Sequence, residues 1–173
     1  MREYNPLSVD ELGLNAVRAL HTYPRATLPP NPPFAGGGVY AVYYSGDFPA
    51  YENLLDPIYV GKADKKLHGR LLDHASSIDA ARNIDLAEFS CRWLILDAVW
   101  INLTEQILIE QYDPIWNRTL KGFGNHHQGG TRTNQRRSPW DSVHPGREWA
   151  NAMQARNDVS ELLKGIAAHR GRN

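Results

Sequence analysis

Six side chains in this sequence are of the kinds that move protons and hold anions, and they follow one another in a set order. Tyr40 closes the triplet G-V-Y, and Tyr59 opens its near mirror image Y-V-G. Arg70 comes eleven residues after Tyr59 and His74 four residues later, so a helix through this stretch carries both on one face. Glu105 lies in "INLTEQILIEQYDP", and Asn117 stands twelve residues on, just past Pro114. A phenol or an imidazole can accept a proton, a guanidinium grips anionic oxygens, and a lone carboxylate can anchor a hard divalent cation. Glycines beside the two tyrosines, Gly38 and Gly61, let backbone approach a substrate closely. Taken singly, each residue has a plainer reading: strand aromatic, solvated helix charge, structural histidine, turn asparagine. Taken together they describe a reaction centre for an anionic substrate.

The elements that must position these groups are legible from periodicity and punctuation. Ser8 and Glu11 have capping-box spacing and predict a helix over 9–21. The proline- and glycine-rich connector "PRATLPPNPPFAGGG" is neither helix nor central strand. "GVYAVYY" and "PIYVGKA" read as β-strands separated by the turn-rich "SGDFPAYENLLD", a link short enough to favour antiparallel pairing. "KKLHGRLLDHASSIDAAR" places Leu67, Leu71, His74 and Ile78 along one helical side. "EFSCRWLIL" is a third strand, with the lone Cys91 buried in it, and "DAVWINLTEQILIEQYDP" a second core helix, capped by Asp97 and stopped before Pro114. The expected fold is α+β: a small three-stranded antiparallel sheet flanked by helices, with an N-terminal helix and a basic C-terminal extension. Residues 1–34 form the helical arm and connector, 35–120 the core, and 121–173 the extension, all in one compact domain. Within that extension "GFGNHHQGGTRTNQRRSPWDSVHPG" reads as an extended loop, and "GREWANAMQARNDVSELLKGIAAHR" as one helix or two, with Asn157 or Asp158 capping a second start.

The ordered set G-V-Y, Y-V-G, Arg70, Glu105 and the P-x-x-N of Asn117 resembles the GIY-YIG nuclease superfamily over about residues 38–117. "YYSGDFPAY", the Arg-x-x-x-His pair, "GFGNHHQGG" and "RRSPWDSVHPGREWA" extend the resemblance over nearly the whole chain, to a restriction-endonuclease branch associated with the palindrome CCGCGG. The 18 residues between Tyr40 and Tyr59 exceed the spacing of minimal superfamily members. The resemblance implies phosphodiester hydrolysis, with Tyr40, Tyr59, Arg70, His74, Glu105 and Asn117 as the catalytic set. It implies Mg²⁺ at Glu105, with Mn²⁺ as a substitute. That chemistry needs an activated water, a charge on the phosphoryl oxygens and a stabilised leaving group. An ordinary tyrosine, with a pKa of about 10, is a poor base at neutral pH. Arg70 and the cation are therefore expected to push Tyr40 toward phenolate, with Tyr59 or His74 as other candidate bases.

Composition agrees with an enzyme that meets a polyanion. The net charge is zero overall, yet residues 1–120 carry 10 Lys/Arg against 15 Asp/Glu, and residues 121–173 carry 9 against 4. A basic arm of this kind suits DNA. The expected contacts are Lys62, Lys121, Asn125, His126, Arg132, Asn134, Gln135, Arg136, Arg137 and Arg147, with arginine suited to guanine edges. A palindromic site implies a homodimer on double-stranded DNA, and a restriction enzyme implies a cognate methyltransferase. His126, His127, Asp141 and His144 suggest a rival metal site, but their spacing matches no ligand pattern. One cysteine, no apolar run of about 20 residues and no leader-like N-terminus point to the cytoplasm and away from membranes. A repair or homing nuclease on the same core, and an inactive DNA-binding module, are the alternatives.

Overall fold

The computed structural model describes residues 8–125 and 136–171. Helix α1 (Val9–Thr22) starts where expected, with the Ser8 hydroxyl accepting from the Glu11 amide at 3.2 Å. A two-residue strand β1 (Ala26–Thr27) follows, then β2 (Gly38–Tyr44), β3 (Tyr59–Ala63), helix α2 (Leu67–Asp79) and β4 (Phe89–Ile95). Helices α3 (Ala98–Tyr112) and α4 (Ile115–Arg118) complete the central part. Asp97 sits at the start of α3, but its side chain makes no cap hydrogen bond. Asp113, in the left-handed region at φ 43°, ends that helix just before Pro114.

The sheet order is β1-β4-β2-β3, antiparallel throughout. The three expected strands form its body. The proline-rich connector adds β1 at the edge, paired to Cys91 and Ser90, where a segment poor in amide donors can join without carrying a full ladder. The central strand β2 is buried along its whole length. Its alternate residues serve two cores: Tyr40, Val42 and Tyr44 join Leu71, Ile78, Trp116 and Phe123, while Val39, Ala41 and Tyr43 join Leu20, Ile101 and Leu108. A slip of one residue would exchange these two sets, so packing on both faces holds the register.

The C-terminal part is less extended than its composition implies. Helix α5 (Pro139–Val143) lies in the predicted loop, with Ser138 accepting from the Asp141 amide at 3.1 Å and Pro139 in the first turn. The stretch after it forms two helices, α6 (Glu148–Asn151) and α7 (Val159–Arg170), and Asp158 caps the second. Trp140, Val143 and Ile166 pack into the same cluster as Tyr40.

A directed chain of hydrogen bonds ties this cluster together. The Trp116 indole donates to the Tyr51 hydroxyl at 3.0 Å, which lies 2.7 Å from His144 Nε2. His144 Nδ1 is 3.0 Å from the Asn83 amide oxygen, and Asn83 donates to the Val143 carbonyl at 2.9 Å. One tautomer, with the proton on Nδ1, satisfies every link. Burial pushes the His144 imidazole down to about 3, so it is neutral in the fold. Among the described residues no helix is long and apolar enough to cross a membrane.

Candidate active site

Antiparallel register puts the two tyrosines on one face of the sheet. Val42 pairs with Tyr59 and Tyr40 with Gly61, so Tyr40 and Tyr59 are diagonal neighbours, their ring centroids 6.2 Å apart. Gly61 makes the room: a Cβ there would lie 2.5 Å from the Tyr40 hydroxyl. Helix α2 packs over this face through Leu67, Leu71, Ala75 and Ile78, which brings His74, also buried, onto the pair. The Tyr40 hydroxyl lies 2.5 Å from His74 Nε2. Arg70, one turn earlier, donates to the Gly124 carbonyl at 2.7 Å, and its charge bears on both phenols.

The protein's own groups oppose ionisation of the two phenols. Tyr40 is fully buried, and desolvation lifts its phenol well above the ordinary value; neighbouring Tyr59 adds to the rise, and Arg70 only partly opposes it. Tyr59 is likewise raised by burial, with Arg70 pulling down and Glu105 pushing up. With the protein groups alone, both phenols hold their protons at neutral pH. The His74 imidazole nitrogen against the Tyr40 hydroxyl is donor or acceptor according to its tautomer.

Glu105 comes from α3, on the opposite face, and meets the others at the β3 edge, where its charge is felt by Tyr59. Desolvation raises its carboxyl, Lys62 and Arg70 lower it, and Asp64 raises it further. Among the described residues no hydrogen bond or ion pair ties its carboxylate, and Lys62, whose charge it feels, pairs with Asp64 at 3.7 Å. A partly desolvated anion left in this state fits a hard cation that keeps most of its own water. No group of three or more potential ligands exists among the described residues, so a metal here would rest on Glu105, water and substrate oxygens.

Asn117 does not point its amide at the other groups. Its Oδ1 accepts from the Val60 amide and its Nδ2 donates to the Val60 carbonyl, both at 2.8 Å. Val60 lies on the edge strand β3, whose outer ladder meets no further strand among the described residues. The asparagine stands in for one, pinning the residue between Tyr59 and Gly61.

The basic residues divide into free and occupied. Lys121, Asn125 and Arg136 are exposed. Arg137 donates to the Ala150 and Asn151 carbonyls, both at 3.0 Å. Arg147, expected as a DNA contact, is buried instead and ion-paired to Asp141 at 2.6 Å. His126, Arg132, Asn134 and Gln135, like His127 of the rival metal set, lie outside the described residues. That rival set fails where it is described, since Asp141 holds Arg147 and His144 holds Tyr51. Phe123 escaped the sequence reading altogether. Its ring stacks on His74 at 4.4 Å and meets Tyr59 edge-on at 5.0 Å. Only its place between two glycines in "GFGN" hinted at a shaped turn.

A protein-family model described as the Eco29kI GIY-YIG domain matches residues 32–170. No curated protein matches the chain.

Proposed function

The chain belongs to the Eco29kI GIY-YIG family of Type II restriction endonucleases, which are site-specific deoxyribonucleases, and from that premise we propose that it hydrolyses double-stranded DNA at the palindrome CCGCGG with Mg²⁺ held at Glu105. The observation that carries the catalytic assignment is the 2.5 Å contact between the Tyr40 hydroxyl and His74 Nε2. A buried phenol is a weak base, but a phenol that passes its own proton to an imidazole is not. Water gives a proton to the partly exposed Tyr59 hydroxyl, and Tyr59 passes its own to the buried Tyr40 oxygen as the Tyr40 proton moves to His74, so no free phenolate need accumulate. Tyr59 and Arg70, both partly exposed, front the site, and the scissile phosphate enters beside them. Arg70 then places a fixed charge on the phosphoryl oxygens. Asn117 acts indirectly, by fixing the backbone of Y-V-G. The cation, Mg²⁺ or in its place Mn²⁺, supplies polarisation of the phosphate and stabilisation of the departing oxygen.

DNA recognition falls in this reading to the extension 121–173, through Lys121, Asn125, Arg136 and the residues between 126 and 135, with Lys62 near the cut phosphate. Arg147 and Arg137 leave that list because their donors are engaged inside the fold. A homodimer on the two-fold site, a companion methyltransferase and a cytoplasmic location complete the proposal. A repair or homing-type nuclease would nick without mapping to one palindrome, and an inactive module would bind without cutting. Purified protein incubated with plasmid in Mg²⁺, and in EDTA, separates the three. Discrete metal-dependent fragments ending at CCGCGG are expected; fragments ending elsewhere overturn the specificity, and intact plasmid overturns the activity.

A further inference from the structure

An arginine inside a protein is unfavourable unless its donors are matched, and Arg147, only 4% exposed, is matched completely. Nε and Nη2 bind the two Asp141 carboxylate oxygens at 2.6 and 2.8 Å. Nη2 also reaches the Gly122 carbonyl at 3.0 Å, and Nη1 reaches those of Phe123 and Asn125, both at 3.1 Å. All five N–H groups are thereby engaged. Trp140 and Trp149 flank the guanidinium at 4.7 and 4.6 Å, and Ser138 donates to Asp141 at 2.6 Å. The three carbonyls belong to one turn, whose Gly122 has φ +116°. The carbonyl skipped by Arg147, that of Gly124, accepts from Arg70 at 2.7 Å. The turn is therefore held between two arginines, one in the core and one in the site. From it Phe123 stacks on His74, and Gly124 lies so close to Tyr59 that a Cβ there would sit 2.7 Å from the hydroxyl and 3.4 Å from Arg70 Nη2.

We propose that Asp141 and Arg147 are positioning residues for DNA cleavage: they lock the 121–125 turn so that Phe123 sets the His74 ring against Tyr40 and Gly124 sets Arg70 and Tyr59. The inference rests on the nuclease reading above. It separates the pair from a DNA contact and from a purely stabilising ion pair, because only a positioning role couples it to the rate on bound DNA. Displacing reacting groups by about 1 Å costs on the order of 100-fold.

The test compares wild type, Arg147→Lys and Gly124→Ala in three measurements: thermal melting, DNA affinity in EDTA, and single-turnover cleavage at saturating DNA in Mg²⁺. Lysine keeps the charge but cannot bind two carboxylate oxygens and three carbonyls at once. Arg147→Lys should cleave about 10- to 100-fold more slowly, assayed below its melting midpoint and at saturating DNA, so that any loss of affinity through Lys121 and Asn125 on the same turn does not enter the rate. Gly124→Ala leaves the ion pair intact, should melt close to wild type, and should lose rate comparably. Should Arg147→Lys fail to fold, Asp141→Asn, which leaves the guanidinium one oxygen in place of two, takes its place with the same slowed rate expected. Wild-type rates in a folded Arg147→Lys or Asp141→Asn, or in Gly124→Ala, overturn the proposal, as does a variant that loses affinity while its saturated rate is unchanged. A wild-type protein that cuts no DNA overturns the nuclease reading, and this inference falls with it.

Discussion

Asn117 offers the sharpest test of how the site is built, because its amide replaces a missing strand. Truncation in Asn117→Ala removes two hydrogen bonds of 2.8 Å and leaves the Val60 N–H and C=O without them. An unpaired, largely buried backbone group costs about 1–3 kcal/mol, so losing both partners predicts roughly 3 kcal/mol of destabilisation. For a chain of this size about 1 kcal/mol shifts the melting midpoint by 2–4 °C, so a drop of about 6–12 °C is expected. Asn117→Asp adds a signed effect. The introduced carboxyl can accept from the Val60 amide, but when ionised it faces the Val60 carbonyl with an oxygen in place of a donor. Protonation restores a donor, so the folded state raises the pKa of that carboxyl above its unfolded value of about 3.9. Its destabilisation relative to wild type is then largest at neutral pH and shrinks as pH falls through the raised pKa. Thermal melting at pH 7 reads the Asn117→Ala effect, and urea unfolding of wild type and both variants at pH 7 and pH 5 reads the pH dependence, with differences from wild type cancelling acid effects common to all three. A midpoint for Asn117→Ala within about 2 °C of wild type, or an Asn117→Asp penalty that grows as the solution is acidified, would refute the edge-strand argument.

Removing the phenol in Tyr40→Phe should lower single-turnover cleavage by about 10²- to 10⁴-fold while DNA affinity is kept; a wild-type rate in Tyr40→Phe would confine the role of base to Tyr59. Glu105→Gln should abolish Mg²⁺-dependent cutting but melt no lower than wild type, since a carboxylate whose ionisation is opposed by burial gives way to a neutral amide of equal size; retained cutting with Mg²⁺ would remove the metal from that residue. His144 should remain a neutral imidazole by NMR to pH 4, and its folded-state pKa of about 3 makes stability fall as pH drops from about 6.5. Near the middle of that window the loss approaches about 1.4 kcal/mol per pH unit, and a titration near pH 6 would contradict its place in the Tyr51 network.

Much of the site was readable in the linear chain because local rules govern it. Alternation along "GVYAVYY" and the i, i+4 spacing of Arg70 and His74 need no knowledge of distant residues. Pro114 and the glycines of the two triplets mark ends and close approaches in the same local way. What the chain could not reveal was which polar groups face outward. Arg147 and Arg137 belong to the same basic-looking stretch as Arg136, yet two are engaged by carbonyls and only one is exposed. The balance of protein forces on the Tyr40 phenol was hidden for a related reason: the nearness of Arg70 was visible in the order of residues, but the desolvation that outweighs that one charge comes only from packing on all sides.

By itself, then, the sequence determined the three body strands β2, β3 and β4, the helices α1, α2 and α3, the antiparallel hairpin, and the family to which the ordered tyrosines, arginine, glutamate and asparagine belong. The tertiary structure alone decided that Asn117 completes an edge, that the Tyr40 hydroxyl lies within hydrogen-bond reach of His74, and that a buried Arg147–Asp141 pair holds the turn carrying Phe123. The division follows from range. Periodicity and capping are set by neighbours within a few residues, whereas burial, pairing and proton affinity depend on partners that the fold brings together, 24 positions apart at Phe123–Arg147, 34 at Tyr40–His74 and 57 at Val60–Asn117.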